Sequence, residues 1–252
     1  MNNRISQKFA EQKKVIIAFV TGGDPDIATT EALILSLATS GAGIIEIGIP
    51  FSDPVAEGIA MQAADKRALE AGCTVDKLFD MVKKLREKTQ IPLMFKTYAN
   101  PICAYGKDKF MEKCREAGID GITVPDVPYE EKAEFEEECD RHGILLISSI
   151  SPSTNERVEK VATQARGFLY CVAPLGTESN MYMEIKNLIA QVRKTSSIPC
   201  VVGVPDIANI AEITAIANGV SADNAIVQLV AKHGKESVSY VENLIITLSD
   251  KV

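Results

Sequence analysis

The sequence predicts a single (β/α)8 barrel, the TIM barrel of the α/β class, over residues 1–252. Eight short apolar runs recur along the chain, and amphipathic, charge-rich segments separate them. A chain of 252 residues is also the usual size of such a barrel. A doubly wound open sheet is the alternative, but the TGGDPD segment at 21–26 lacks the GxGxxG spacing of its phosphate loop.

Each apolar run has the length of a buried strand and is bounded by turn residues. The predicted strands are, in chain order, Val15–Thr21, Gly43–Pro50, Pro92–Tyr98, Gly121–Val127, Gly143–Ser151, Gly167–Pro174, Ile198–Val204 and Asn218–Val227. Helical periodicity is clear at Val75–Thr89 and at Tyr129–Gly143, where the final glycine matches a helix C-cap. The long connection at 50–70 predicts an active-site loop at the C-terminal end of the barrel.

The composition indicates a soluble, cytoplasmic protein. A net charge of −7 without basic runs argues against nucleic acid as a partner. The N-terminal segment lacks an apolar signal core, and no apolar run reaches membrane-spanning length, so no membrane contact is expected. The six cysteines have no CxxC spacing and there are only two histidines, so we expect free thiols, no metal and no cofactor.

Three ionisable residues in or beside the apolar runs are candidates for chemistry. Glu46 stands within the second strand, and Glu57 follows it in a loop rich in proline and glycine. Two carboxylates at the C-terminal end of one barrel strand suit an acid and base pair. Lys96 interrupts the third strand, where an unpaired ammonium is costly. Because side chains alternate along a strand, Lys96 shares a face with Tyr98.

Several segments resemble the motifs of the tryptophan synthase alpha chain family, in order and over essentially the whole chain. They are IEIGIPFSDPVAEG at 45–58, TYANP at 97–101, YG at 105–106 and VPDVPYEE at 124–131. The resemblance implies a barrel that cleaves indole-3-glycerol phosphate to indole and glyceraldehyde 3-phosphate without a cofactor, and that passes indole to a β subunit. It also implies roles for individual residues: Glu46 as the catalytic carboxylate, Glu57 facing the indole nitrogen where the family has aspartate, and Tyr98 and Tyr170 as pocket residues.

The phosphate-binding patterns of that family are altered in this chain. The segments LGTES at 175–179 and VGVPDI at 202–207 each keep one glycine of two, and Asp223 and Asn224 replace a glycine–serine pair. Proline removes an amide donor and a carboxylate repels phosphate, so phosphate binding should be weak. Polar residues also stand at the barrel mouth; the predicted substrate-binding residues are Phe19, Thr123, Ser148, Tyr170, Thr177, Val204, Ser221 and Asn224.

These features favour a pocket rebuilt, by evolution or by engineering, for a small non-phosphorylated substrate such as an aromatic β-hydroxyketone. The main hypothesis is retro-aldol cleavage through a Schiff base on Lys96, because burial lowers the pKa of a lysine. The other residues predicted to be catalytic are Glu46, Glu57, Tyr98 and Asp223.

Alternatives to the Schiff base stay open. One is the family's own activity with Glu46 and Glu57 as catalysts. Another is proton abstraction by Asp223 or Glu46, with Lys96 as a donor to the developing oxyanion. A third is a paralogue without catalytic activity that binds a β subunit or has a structural role. Lys96 would not be a nucleophile if it formed a buried ion pair with Glu46 or Asp223.

Overall fold

A computed structural model of the protein describes residues 3–172, 178–203 and 210–252, without the side chains of residues 155 and 178–180. Within these ranges the strands are parallel wherever they pair. The strands are β1 (Val15–Thr21), β2 (Ile44–Gly48), β3 (Leu93–Lys96), β4 (Gly121–Thr123), β5 (Leu145–Leu146), β6 (Ser148–Ile150), β7 (Leu169–Cys171), β8 (Cys200–Gly203) and β9 (Gly219–Ala222).

The sheet closes into a barrel with eight strand positions. Its hydrogen-bonded order is β5-β4-β3-β2-β1-β9-β8-β7-β6, and only Ile147 separates β5 from β6 in the sequence. The amide nitrogen of Ile147 donates to the carbonyl oxygen of Ile122 at 2.9 Å, so the fifth barrel strand continues across the break. The predicted (β/α)8 fold is therefore confirmed.

Helices surround the barrel, and several begin at a side-chain cap. The side chains of Asn3, Asp26 and Thr74 accept hydrogen bonds from first-turn amides of the helices that follow them. The described helices are α1 (Arg4–Glu11), α2 (Ile27–Thr39), α3 (Ile59–Glu70), α4 (Val75–Arg86), α5 (Ala99–Tyr105), α6 (Lys107–Ala117), α7 (Ala133–His142), α8 (Val158–Gln164), α9 (Glu178–Thr195), α10 (Ile210–Ile216), α11 (Asp223–His233) and α12 (Ser237–Ser249). In the part of the chain that the structure describes, none of them is long and apolar enough to cross a membrane.

The interior of the barrel is apolar at its N-terminal end and polar at its C-terminal end. The lower layer is a buried cluster closed by Ile5 of α1, and it includes Ile17, Ile44, Met94, Phe168 and Val201. Side chains on one face of a strand recur every second residue. The inward residues that follow Ile17, Ile44, Met94 and Phe168 are therefore Phe19, Glu46, Lys96 and Tyr170. The strand pattern thus brings polar side chains together above an apolar floor.

Two sequence predictions about local structure need correction. The run Asn218–Val227 is a strand only to Ala222, because α11 begins at Asp223 and buries Ile226 and Val230 at helical spacing. An aspartate in the first turn of a helix is favoured by the helix dipole. The connection at 50–70 is a loop only to Gly58, and α3 begins at Ile59. By contrast, Gly143 ends α7 in the left-handed conformation, at φ 73°, as predicted.

Candidate active site

A cavity of about 820 Å³ opens at the C-terminal ends of the strands. This is the end at which enzymes with this fold carry their active sites. Residues of several strands line it, and the loop after β2 covers one side with residues 56–58. The strand residues that line it are Glu46, Lys96, Thr123, Ser149, Tyr170, Cys171, Gly203 and Ser221.

Glu46 lies at the centre of the polar layer and is 1% exposed. The Thr123 hydroxyl donates to its Oε1 at 2.7 Å, and the Tyr170 hydroxyl donates to its Oε2 at 3.3 Å. Burial raises the pKa of the Glu46 carboxyl to about 7, although the Lys96 ammonium opposes this rise. A carboxyl group with this pKa exchanges its proton readily near neutral pH, which suits general acid and base catalysis.

Lys96 forms an ion pair with Glu57, with 2.8 Å between Nζ and Oε1. The two side chains are 20% and 13% exposed, and Nζ also lies 5.3 Å from the centre of the Phe19 ring. Burial favours the neutral amine, but the attraction of Glu46, Glu57 and Asp223 outweighs it and raises the pKa of Lys96 above its ordinary value.

The expectation that Lys96 has a lowered pKa is therefore wrong. The physical reason is the number of carboxylates around it, which stabilise the ammonium more than burial destabilises it. The alternative of a buried ion pair is the one that the structure shows, with Glu57 as the partner instead of Glu46 or Asp223.

Tyr98 holds the loop that carries Glu57. Its hydroxyl oxygen accepts a hydrogen bond from the amide of Ala56 at 3.0 Å, and its ring lies 5.4 Å from that of Phe51. The Asp65 carboxylate accepts from the Phe51 amide at 3.5 Å, at the limit of a hydrogen bond. These contacts fix both ends of the loop segment that places Glu57 against Lys96.

Asp223 and Ser221 line the cavity where β9 ends and α11 begins. Asp223 is the first residue of α11, and Ser221 is an inward residue of β9 with 1% exposure. Burial raises the pKa of the Asp223 carboxyl, and the attraction of the Lys96 ammonium only partly offsets this rise. Neither Ser221 Oγ nor Asp223 Oδ1 has a hydrogen-bond partner of good geometry among the described residues.

Most of the predicted site residues that the structure describes meet in this cavity. Eight of them line it: Glu46, Glu57, Lys96, Thr123, Tyr170, Ser221, Asp223 and Asn224. Phe19 lies next to the cavity beneath the Lys96 ammonium, and Tyr98 lies behind the loop. Thr177 and Val204 fall outside the described residues.

Ser148 is not part of the main cavity, contrary to the prediction. It lines a neighbouring cavity of about 200 Å³, and Ser149 takes the predicted place. The alternation along the fifth strand is set by Ile147, which lies between β5 and β6 and faces inward. The sequence run 143–151 contains two adjacent serines, so periodicity alone did not decide between them.

Asp65 is a functional-site neighbour that sequence reasoning missed. It is 8% exposed, and burial raises the pKa of its carboxyl to about 7. The spacing of Met61, Ala64, Asp65 and Ala68 puts the carboxylate on the buried face of α3. The sequence signal for Asp65 is an acidic residue at helical spacing among apolar residues.

No group of three or more His, Cys, Asp or Glu side chains in the described part of the chain has the arrangement of a metal site. All six cysteines have free thiols, and five of them are buried. The carboxyl groups and the Lys96 ammonium among the described lining residues of the cavity support proton transfer.

Comparison with known proteins gives consistent matches over the whole chain. A sequence model of the family described as Tryptophan synthase alpha chain matches residues 5–251. The tryptophan synthase alpha chain of Geobacter sulfurreducens is 42% identical over 259 residues, which cover 96% of this chain and 97% of that protein. That of Methanocaldococcus jannaschii is 41% identical over 245 residues, which cover 93% and 87%.

Solved structures of similar proteins have a similar backbone. The crystal structure of tryptophan synthase subunit alpha from Legionella pneumophila str. Paris matches with a TM-score of 0.90 and 30% identity, covering 100% of this chain and 98% of that one. The tryptophan synthase complex from Pyrococcus furiosus contains a chain that matches with a TM-score of 0.84 and 30% identity, covering 93% and 97%. The sequence comparison and the structure comparison therefore indicate the same family.

Proposed function

The chain belongs to the tryptophan synthase alpha chain family, and from that premise we propose that it is a lyase that performs a retro-aldol cleavage of an indole-3-glycerol skeleton. The bond that breaks joins C3 of the indole ring to the first carbon of the side chain, which carries a hydroxyl group. The products are indole and a three-carbon aldehyde. The observation that carries this proposal is the buried Glu46 carboxyl with its pKa of about 7.

Glu46 can serve both proton transfers of this reaction. Its protonated form delivers a proton to C3 of the ring, and the electrons of the breaking carbon–carbon bond flow into the cationic ring system that results. The side-chain hydroxyl then loses its proton to the Glu46 carboxylate as the carbonyl group forms. One proton is given and one is recovered, so a single carboxyl with a near-neutral pKa suffices.

The Lys96–Glu57 pair supports this acid–base route. Glu57 Oε1 is engaged by the Lys96 ammonium at 2.8 Å, which leaves Oε2 to accept the indole N–H that the family resemblance assigns to this residue. The ammonium also keeps the pKa of Glu46 below the value that burial alone would impose. A Schiff base on Lys96 needs a neutral amine, so the protonated pair disfavours that route.

The proposal includes a β subunit as the partner that receives indole. The Pyrococcus furiosus relative comes from a tryptophan synthase complex. Val55 and Ile59 lie in and just after the loop that covers the cavity, and they are 82% and 87% exposed. Two large apolar side chains left in solvent beside a site mouth suit a surface that a partner covers.

The test is indole release by the purified chain from indole-3-glycerol and from indole-3-glycerol phosphate, with the released indole measured by chromatography. Glu46→Gln should reduce release by about 100-fold or more, because the amide cannot exchange a proton. Glu134→Gln is the matched control, since the Glu134 side chain is 64% exposed and pairs only at the surface with Lys107. Absence of indole from both substrates, or full activity in Glu46→Gln, would contradict the proposal.

A further inference from the structure

The end of the cavity formed by Ser221 and Asp223 has unused hydrogen-bonding capacity. Ser221 Oγ and Asp223 Oδ1 are buried, and neither has a partner of good geometry in the described part of the chain. Both residues line the cavity. Buried polar atoms are rarely left without partners, so these two atoms indicate a ligand that supplies them. A carboxylate oxygen only accepts, whereas a hydroxyl can donate and accept.

Open space adjoins these two atoms. Gly203 is the register partner of Ser221 on the next strand and also lines the cavity. Among the residues that the structure describes, a Cβ atom built on Gly203 would meet Ser221 Oγ alone, at 3.7 Å, which is ordinary van der Waals contact. Because Gly203 has no side chain, a small group of a ligand has room to approach Ser221 and Asp223.

The charges around this space disfavour an anion. The carboxyl groups of Glu46, Glu57 and Asp223 line the cavity, and Lys96 is the one cation among its described lining residues. Asp223 also stands in the first turn of α11, so the chain itself supplies the negative charge that the helix N-terminus favours. A phosphate monoester carries about −1.5 to −2 charges and would be repelled by Asp223, while a ligand ammonium would be repelled by Lys96.

We propose that the Ser221–Asp223 end of the cavity binds an uncharged hydroxyl group, and that the substrate is therefore a neutral indolyl polyol and not its phosphate monoester. The ligand hydroxyl donates to Asp223 Oδ1 and accepts from Ser221 Oγ, which satisfies both atoms. This inference rests on the proposed function for the identity of the ring, while the hydroxyl site is defined by its own residues.

Binding of two stable probes tests the inference without catalysis. They are 3-(indol-3-yl)propan-1-ol and its phosphate, which lack the hydroxyl next to the ring and cannot be cleaved. By calorimetry on the full chain, we expect the alcohol to bind at least about tenfold more tightly than the phosphate, since like charges in a binding site are strongly unfavourable. Equal or tighter binding of the phosphate would overturn the inference.

Variants assign the discrimination to particular atoms. Asp223→Asn should strengthen binding of the phosphate probe and so narrow the difference in affinity between the two probes. Ser221→Ala should weaken binding of the alcohol probe. Asp250→Asn is the control, because it removes the same charge at an exposed residue after α12. Circular dichroism checks that each variant is folded. If a variant does not fold, the ratio of the two probe affinities in the wild-type protein still tests the inference. An unchanged ratio in folded Asp223→Asn would also refute the inference.

Activity separates this inference from the function on which it rests. Faster indole release from indole-3-glycerol phosphate than from indole-3-glycerol would refute the hydroxyl site and leave the lyase proposal intact. Release from neither substrate, together with the expected order of probe binding, would refute the lyase proposal and leave the hydroxyl site intact.

Discussion

Replacement of Lys96 by methionine should destabilise the protein, because it removes the charge that partners Glu57. The two charged atoms are 2.8 Å apart, and at an effective dielectric of ~20 two unit charges at that distance attract by about 6 kcal/mol. The cost of desolvating both ions offsets part of this attraction, and breaking a buried pair at one side costs about 3–5 kcal/mol. Because the side chains keep 20% and 13% exposure, we expect about 3 kcal/mol for Lys96→Met.

Thermal unfolding measures this effect. In a chain of this length, a loss of about 3 kcal/mol lowers the melting temperature by roughly 6–12 °C. Lys88→Met is the matched control: Lys88 pairs with Glu31 at the same 2.8 Å, but the Lys88 side chain is 52% exposed. An exposed pair contributes at most about 1 kcal/mol. The double variant Lys96→Met with Glu57→Gln should recover part of the loss, since it leaves no unpaired carboxylate in place of the pair.

The pH at which thermal unfolding should be compared follows from the direction in which folding shifts the pKa of Lys96. The pKa of Lys96 is higher in the folded chain than in the unfolded one, so its stabilising contribution is complete below the unfolded value of about 10.4 and is lost as the pH rises through the folded value. At pH 7 to 8 the whole difference between wild type and Lys96→Met should be present. If Lys96→Met is as stable as wild type or more stable, Lys96 is not held as an ammonium, and the Schiff-base hypothesis regains its basis.

Three further predictions concern the same charges and one neighbouring pair. The pKa of Glu46 is about 7 in the folded chain, so wild type should lose stability as the pH rises from about 4.5 to 7. Glu46→Gln should then be more stable by on the order of 3 kcal/mol at pH 8 in urea denaturation; equal stability at pH 8 would show that the carboxyl is not perturbed. Borohydride reduction with a β-hydroxyketone should leave Lys96 unmodified in peptide mass spectrometry, and an adduct on that residue would contradict the assignment of a protonated pair. Arg67→Met should cost about 3 kcal/mol, because Arg67 donates two hydrogen bonds to Asp24, which is 2% exposed; a melting temperature within 2 °C of wild type would refute this.

The sequence predicts the barrel well because its strands are nearly continuous apolar runs. The first strand was predicted at the bounds that the structure has, Val15–Thr21, and the inward direction of Lys96 followed from alternation along the third strand. Two features escaped this kind of reasoning. The register of the fifth strand depends on the break at Ile147, and α11 begins at Asp223, inside a segment that the sequence presents as one strand.

The charge state of Lys96 escaped prediction for a different reason, since it belongs to a cluster and not to one residue. A lysine in an apolar strand, taken alone, should lose its proton. In the folded chain a loop brings Glu57 to within 2.8 Å of it, and Glu46 and Asp223 act on it across the cavity. The influence is mutual: burial alone would make Glu46 a much weaker acid, and the Lys96 ammonium draws its pKa back to about 7. In the proposed reaction, the lysine that suggested a nucleophile therefore acts through a carboxyl, by keeping Glu46 able to give and to take a proton at the same pH.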